Sequence, residues 1–387
     1  LQEHFFREDN AIWGWPLWPA EYRQPGAPAV QRFAQEHCER VEFYEYLQWL
    51  ADQQLGTVGR RSFELGLGVG LYQDLAVSID RAGAEAWAEQ DLYAIGASVG
   101  APPDEFNLKG QNWGLPPLVP QRLAEAAYAP FISTLRANMR HSGALRIDHV
   151  MALMRLYWIA EGDDPAHGAY VHYPFDDLLA IVRLESQRNR CLVIGEDLGT
   201  VPDEMRHAMA EFAVYSYKVL LFEKHADGRF RRPEEYMRRA IATVTTHDLP
   251  TLRGYWAGGD LELRDRLHLY PGEEIRQRVF DERVRDRAQL LAALDTVGLR
   301  PESAGAAEHG YSDQLAHDIQ LYLARSAAAL VVLQFEDLIG MTDPVNVPGT
   351  SHEHANWQRK VTTDIDDAFG RESSLRLFAD VRRARVS

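Results

Sequence analysis

Six short, nearly unbroken apolar runs, each separated from the next by a longer stretch of helical periodicity, do most to limit what this chain can fold into. The runs fall at 69–76, 145–148, 192–196, 217–222, 242–246 and 330–335. A strand whose two faces are both buried has no polar alternation, and that is the mark of a parallel sheet covered by helices. Amphipathic patterns at 123–141, 175–189 and 234–239 supply such helices, and 30–55 repeats Val30, Phe33, Ala34, Val41, Tyr44 and Leu47 at helical spacing. Strand–helix alternation of this kind predicts an α/β fold. Two stretches interrupt it: a Pro/Gly-rich segment at 101–117, and a helical region at 261–316 broken at Pro271 and Gly272.

The chain's 387 residues exceed the roughly 250 of a simple (β/α) barrel and fit one with insertions. A closed barrel of this class needs eight strands, and six are visible. The chain opens on Leu1, so two strands lie hidden in the first 60 residues or the N-terminal part is absent. The expected arrangement is therefore a (β/α)8 TIM barrel with inserted helical subdomains, carrying about six of its strands. It occupies 1–387 as one domain, with 101–117 read on composition alone as a Pro-rich surface loop and 261–316 as a helical insertion.

Charge and composition remove several classes of function. A net charge of −16 gives nothing to exchange with the counterions of a nucleic-acid backbone. The longest apolar run, 327–333, is far below the roughly 18 residues needed to cross a bilayer, and LQEHFFREDN lacks a signal peptide's apolar core. Two cysteines, Cys38 and Cys191, make no disulfide framework and suit a reducing cytoplasm. Nine Trp, 16 Tyr and 15 Phe give ample core and would also suit a binder of sugar faces.

Chemistry concentrates where strands end. Asp148 closes LRIDHV, Glu196 lies in LVIGEDLGT and Asp248 in VTTHDLPT, and each acid enters a loop directly after a strand. Gaps of 48 and 52 residues place them on different strands, and in a barrel those C-terminal ends share the catalytic face. Taken singly, each could equally be a helix cap or a structural acid. Arg146 lies two residues before Asp148 and so points to the same side, where a guanidinium favours the ionised carboxylate a nucleophile needs. Burial and the like-charged Asp197 would raise the Glu196 pKa toward a general acid's, and Gly195 would leave room for a ligand. Such a pair fits glycoside chemistry.

At these residues the chain resembles the bacterial 4-α-glucanotransferases of the amylomaltase, or disproportionating-enzyme, family. The likeness runs through WGWPLWP (13–19), GLYQDLAV (70–77), GAPPDEFNLKGQNWGLPP (100–117), GALRIDHV (143–150), GAYVHYP (168–174), VIGEDLGTVP (193–202), YSYKVL (215–220), THDLPTLRGYW (246–256) and PVNVPGTSHEHANWQRK (344–360). The resemblance implies Asp148 as nucleophile, Glu196 as acid/base and Asp248 as the acid holding sugar hydroxyls. Arg146 and His247 would flank them, and Asp74, His149 and Asn346 match further motif positions. It also implies that 1–387 is a catalytic domain whose segment 101–117 is a lid-like loop, with Phe106 and Trp113 as its sugar-stacking rings. The family's Ser-Pro-Tyr substrate loop has no counterpart here. The donor and the acceptor would be glucan, maltodextrin or glucose. The nearest alternatives are an amylase-like hydrolase, for which water is the acceptor, and a glucan-binding protein with an incomplete site.

No cofactor is expected. Gly66, Gly68 and Gly70 imitate a dinucleotide fingerprint, but its third glycine would fall at Leu71, and the glycines precede a strand. His352 and His354, or His247 beside Asp248, lack zinc-motif spacing. Asp364, Asp366 and Asp367 lack a calcium loop's glycine and read as a solvated turn.

Overall fold

The computed structural model describes residues 1–103, 109–299, 310–350 and 353–386. The chain separates into two compact units, Leu1–Val214 and Tyr215–Ser387.

The first unit opens with helices and holds no strand before Tyr72, so the first 60 residues hide none. Helices Pro28–Glu36 and Cys38–Glu64 divide the single pattern expected at 30–55, with the break at His37. Among the described residues ten strands follow: β1 (Tyr72–Leu75), β2 (Ala97–Ala101), β3 (Gln111–Asn112), β4 (Ala144–Ile147), β5 (Arg155–Ala160), β6 (Ala169–His172), β7 (Leu192–Gly195), β8 (Tyr215–Val219), β9 (Ala240–Thr243) and β10 (Leu330–Val332). In the first unit β1, β4 and β7 run parallel, pairing Asp74 with Arg146 and Arg146 with Ile194. All four residues of β4 are buried, which explains its unalternating sequence. Gly143 just before it is obligatory: a Cβ there would stand 1.5 Å from the Val69 carbonyl oxygen.

Helices Ala129–Met139 and Phe175–Asn189 cover these strands through Leu135, Met139, Leu178, Leu179 and Val182, all in one buried cluster. Full burial of each such side chain stabilises by roughly 1.5–3 kcal/mol. Arg136 crosses from one helix to the other and donates twice to the buried Glu185, both at 2.8 Å. The helix expected over 123–141 is really two, Pro120–Glu125 and Ala129–Met139. Pro130 cannot continue a helix, and the chain reverses through left-handed Ala127 and Tyr128 (φ 50° and 60°).

Unforeseen in the sequence is an antiparallel sheet in the order β3-β2-β5-β6. Gly100 on β2 admits the Gln111 carbonyl, which would lie 2.0 Å from any Cβ.

In the second unit β8, β9 and β10 also run parallel. The helix expected at 234–239 does not form. A single 3-10 turn, Pro233–Glu235, leads into extended backbone, and the carbonyls of Arg238 and Arg239 accept from Ala329 and Ser216. Those carbonyls extend the sheet's pairing, and tertiary pairing outweighs local helix propensity. Likewise the run at 330–335 stops at Val332, and Phe335–Leu338 is helical. Helices Gly259–Arg266, Glu273–Thr296 and Asp313–Ala324 occupy the described part of the 261–316 region. Leu252, Trp256, Leu290, Leu294, Ile319 and Tyr322 form the second unit's core. Asp364, Asp366 and Asp367 are exposed as expected, but they open a helix rather than a turn: the Asp364 carboxylate caps Ile365–Gly370 by accepting from the Asp366 N–H.

Candidate active site

The ends of β1, β4 and β7 are stitched into one platform. The Asp148 N–H donates to the Leu75 carbonyl at 2.9 Å, the Glu196 N–H to Ile147 at 2.9 Å, and the Val150 N–H to the Glu196 carbonyl at 3.0 Å. Asp74, Arg146, Asp148, His149 and Glu196 are therefore brought together by backbone pairing alone. Arg146 is the buried centre of the group, its side chain 9% exposed, with Nη1 2.7 Å from Asp74 Oδ1 and Nη2 2.8 Å from Asp148 Oδ1. Burial would lower the guanidinium's pKa, but Asp148 and Asp74 together push it up, so Arg146 stays charged.

Glu196 occupies different surroundings one strand away. Its carboxyl is buried, and burial raises its pKa to about 7, with the negative charge of Asp148 adding to the rise. Two backbone donors partly offset this: the Leu198 N–H reaches Oε1 at 2.6 Å and the His149 N–H reaches Oε2 at 3.0 Å. The like charge that contributes most is Asp148, across the strand pairing. Gly195 is also reassigned. A Cβ there would meet Val150 at 2.8 Å and Met209 at 3.0 Å, so the glycine serves close packing rather than ligand space.

His149 presents its N–H to Glu196 by adopting a left-handed backbone (φ 44°, ψ 63°), a sparsely populated region for a residue with a Cβ. Desolvation lowers its imidazole pKa to about 4, which leaves a neutral ring near pH 7. Trp113 packs edge-on against that ring, with centroids 5.3 Å apart, and donates from Nε1 to Gln111 Oε1 at 3.2 Å. Phe106 lies outside the described residues.

In the second unit, His247 and Asp248 follow β9. Asn346 donates from Nδ2 to Asp248 Oδ1 at 2.7 Å, and its N–H donates to the His247 carbonyl. His247 Nε2 lies 3.3 Å from Asp248 Oδ2, and the carboxylate remains 42% exposed. The sequence reading missed Trp357. Its ring is 62% exposed, lies 5.1 Å from that of His247 and is held by a left-handed backbone (φ 60°). The signal was present: ANW (355–357) lies in the same motif that supplies Asn346, and Asn356 accepts from the Val347 N–H. Among the described residues no group of His, Cys, Asp or Glu has the arrangement of a metal site. His352 lies outside them.

The first unit thus sets a carboxyl poised near neutrality beside a carboxylate paired with arginine. The second offers an open carboxylate steadied by an amide. A carboxyl that keeps its proton toward neutrality, beside a carboxylate paired with arginine, can supply a proton and a nucleophile at one pH.

Comparison with known proteins agrees with this chemistry. A family model described as 4-alpha-glucanotransferase matches residues 4–365. A 4-alpha-glucanotransferase of Haemophilus influenzae is 42% identical over 100% of this chain and 55% of its own length. One from Mycobacterium bovis is 37% identical over 96% of this chain and 52% of its own. The crystal structure of amylomaltase from Corynebacterium glutamicum superposes with a TM-score of 0.82 at 33% identity, covering 90% of this chain and 50% of that one. The fold is accordingly α/β and TIM-barrel-like, as the strand–helix alternation implied. The chain spans about half the length of the curated relatives it matches.

Proposed function

The chain belongs to the 4-alpha-glucanotransferase family, and from that premise we propose that it carries the catalytic groups of an enzyme transferring α-1,4-glucan segments by retaining double displacement. The observation that carries this reading is the contrast between Glu196, lifted to about 7, and Asp148, paired with Arg146. In the first step the Asp148 carboxylate attacks the anomeric carbon. The glycosidic bond breaks, and Glu196 gives its proton to the leaving 4-oxygen. In the second, the Glu196 carboxylate takes the proton of an incoming 4-hydroxyl, whose oxygen displaces Asp148 and restores an α linkage. Glu196 is reprotonated by this transfer, so each cycle ends where it began.

The other residues have supporting parts. Asp74 fixes Arg146, and Arg146 fixes Asp148. His149, neutral near pH 7, supplies a hydrogen-bonding ring without competing for the proton, and Trp113 braces it. Asp248, steadied by Asn346 and His247, is suited to hold sugar hydroxyls. Trp357 offers an aromatic face for a pyranose ring. The segment 101–117 would act as a lid and 261–316 as an insertion within one catalytic domain. Donor and acceptor are maltodextrins, with glucose the smallest acceptor. The reaction draws on no cofactor, because the donor carries its own leaving group. Two free cysteines fit a reducing cytoplasm, and no helix of the described residues is long and apolar enough to cross a membrane.

Incubation with maltotriose tests the proposal. Transfer gives longer maltodextrins together with glucose and maltose. A product set of shorter sugars only, with one new reducing end for each bond cut, would refute it.

A further inference from the structure

Of the five residues gathered on the first unit's platform, His149 alone has a left-handed backbone (φ 44°, ψ 63°). Arg190 and Ala213, also left-handed, follow helices, where that conformation is ordinary. His149 instead follows a strand, and its Cβ makes the conformation costly.

The hydrogen bonds on either side show what the strain achieves. Successive N–H groups of an extended chain point to opposite sides. Here the Asp148 N–H donates to Leu75 at 2.9 Å, but the next two both turn toward Glu196. The His149 N–H reaches Glu196 Oε2 and the Val150 N–H reaches the Glu196 carbonyl, each at 3.0 Å. Consecutive N–H groups brought to one side make a concave donor surface for an anion. The Val150 contact already ties the two strand ends together. The His149 contact serves a side chain instead.

The two oxygens of that side chain are held unequally. The Leu198 N–H stands 2.6 Å from Oε1, and in keeping with its shorter reach it lowers the carboxyl's pKa more than the His149 N–H does. In a protonated carboxyl the carbonyl oxygen is the better acceptor, so the shorter contact marks Oε1 as that carbonyl and leaves Oε2 to carry the proton. When the Oε2–H bond breaks and the proton passes to the leaving 4-oxygen, Oε2 becomes a full acceptor. Hydrogen bonds to an ionised oxygen are shorter and roughly twice as strong.

We propose that His149 is a positioning residue whose left-handed peptide aims an N–H at Glu196 Oε2, a bond that strengthens as the proton departs to the leaving sugar and weakens as the acceptor returns it. This rests on Glu196 being the acid/base of the reaction proposed above. The role belongs to the main chain, so ring and donor can be separated. Glycine adopts the left-handed region freely, so His149→Gly removes the ring and keeps the donor. Incorporating the α-hydroxy analogue of histidine at 149 by cell-free synthesis makes the 148–149 link an ester, which keeps the ring and removes the donor.

Carbon-13 NMR of the 387-residue chain labelled at its glutamate carboxyls tests this, with the Glu196 resonance identified by its loss in Glu196→Gln. The titration needs no sugar, so a failure to transfer glucan leaves its outcome unaffected. Glu196 should titrate near about 7 in the unsubstituted chain, and within about 0.3 of that value in His149→Gly. In the ester chain its pKa should rise by about one unit, a tenfold tighter hold on the proton. His149→Val, whose β-branch resists the left-handed region, should shift it the same way and stands in for an ester chain that fails to fold. The alkaline limb of the maltotriose pH–rate profile should move up with the carboxyl. A rise in His149→Gly as large as in the ester chain would assign the effect to the ring and overturn the proposal. So would an unshifted ester chain, an unshifted valine chain where the ester does not fold, or a rate profile that stays in place while the carboxyl moves.

Discussion

Glu196 and Asp337 are two buried carboxyls that burial lifts to the same value, about 7, yet they sit in different company. Glu196 has both oxygens engaged by backbone N–H groups, one from left-handed His149, and faces the charge of Asp148. Among the described residues Asp337 has one oxygen on the Leu252 N–H, the other unpartnered, and Glu336 as the like charge that adds to its rise. A raised pKa alone marks burial. It marks catalysis only where a second carboxylate in the opposite state stands beside it, as Asp148 with Arg146 does for Glu196.

The sharpest break between the two should appear in turnover. Glu196→Gln is expected to lower the rate on maltotriose by about 10²–10⁴-fold, the usual contribution of a general acid. Asp337→Asn should cost less than about tenfold, read by the same product assay. Equal losses would erase the distinction drawn here.

Stability should show the reverse, a shared signature. Each carboxyl's folded pKa is raised, so between its ordinary value and about 7 the folded state binds a proton that the unfolded state has released. The stabilising contribution is complete below the ordinary carboxyl pKa and is lost as pH rises through about 7. Between pH 5 and 8 this amounts to about 2–3 kcal/mol per group. Urea midpoints at the two pH values should therefore converge by about half in each of Glu196→Gln and Asp337→Asn, the other carboxyl keeping its own share. Convergence in only one would assign the buried proton to that group alone.

The smallest effect is expected at the open end of the second unit. Trp357→Ala should raise KM for maltotriose by about three- to tenfold with little change in kcat, as loss of a stacking face shared by ground and transition states would do. A large fall in kcat instead would place Trp357 in the chemistry, through His247.

Much of this was legible in the sequence because the informative residues are buried on both sides. Ala144–Ile147 and Ala240–Thr243 have no solvent face, so their apolar runs announce strands and their following acids announce loops. The antiparallel sheet was hidden for a related reason. Its β5 follows β4 after a short 3-10 turn, Val150–Leu153, so two strands of different sheets merge into one apolar stretch. The helix break at Tyr128 could have been read from Pro130. The loss of the 234–239 helix depends on distant N–H donors, Ser216 and Ala329, to the Arg239 and Arg238 carbonyls, which no local pattern reveals. At the site, residue types pointed to Asp148, Glu196 and Arg146. That Asp148 acts on Glu196 follows from how adjacent strands align, which residue order alone does not specify. Asp337 carried no signal, since an isolated polar residue in an apolar segment looks the same whether hydrated, paired or open.

The division of labour between Asp148 and Glu196 is the central claim, and one trapping measurement reaches it directly. A Glu196→Gln chain incubated with α-maltosyl fluoride, whose leaving group needs no proton, should accumulate a covalent glycosyl-enzyme because the second step lacks its base. Mass spectrometry of the digested protein should find the sugar on the peptide carrying Asp148. Sugar on any other residue, or fluoride released while the protein mass stays unchanged, would contradict the account.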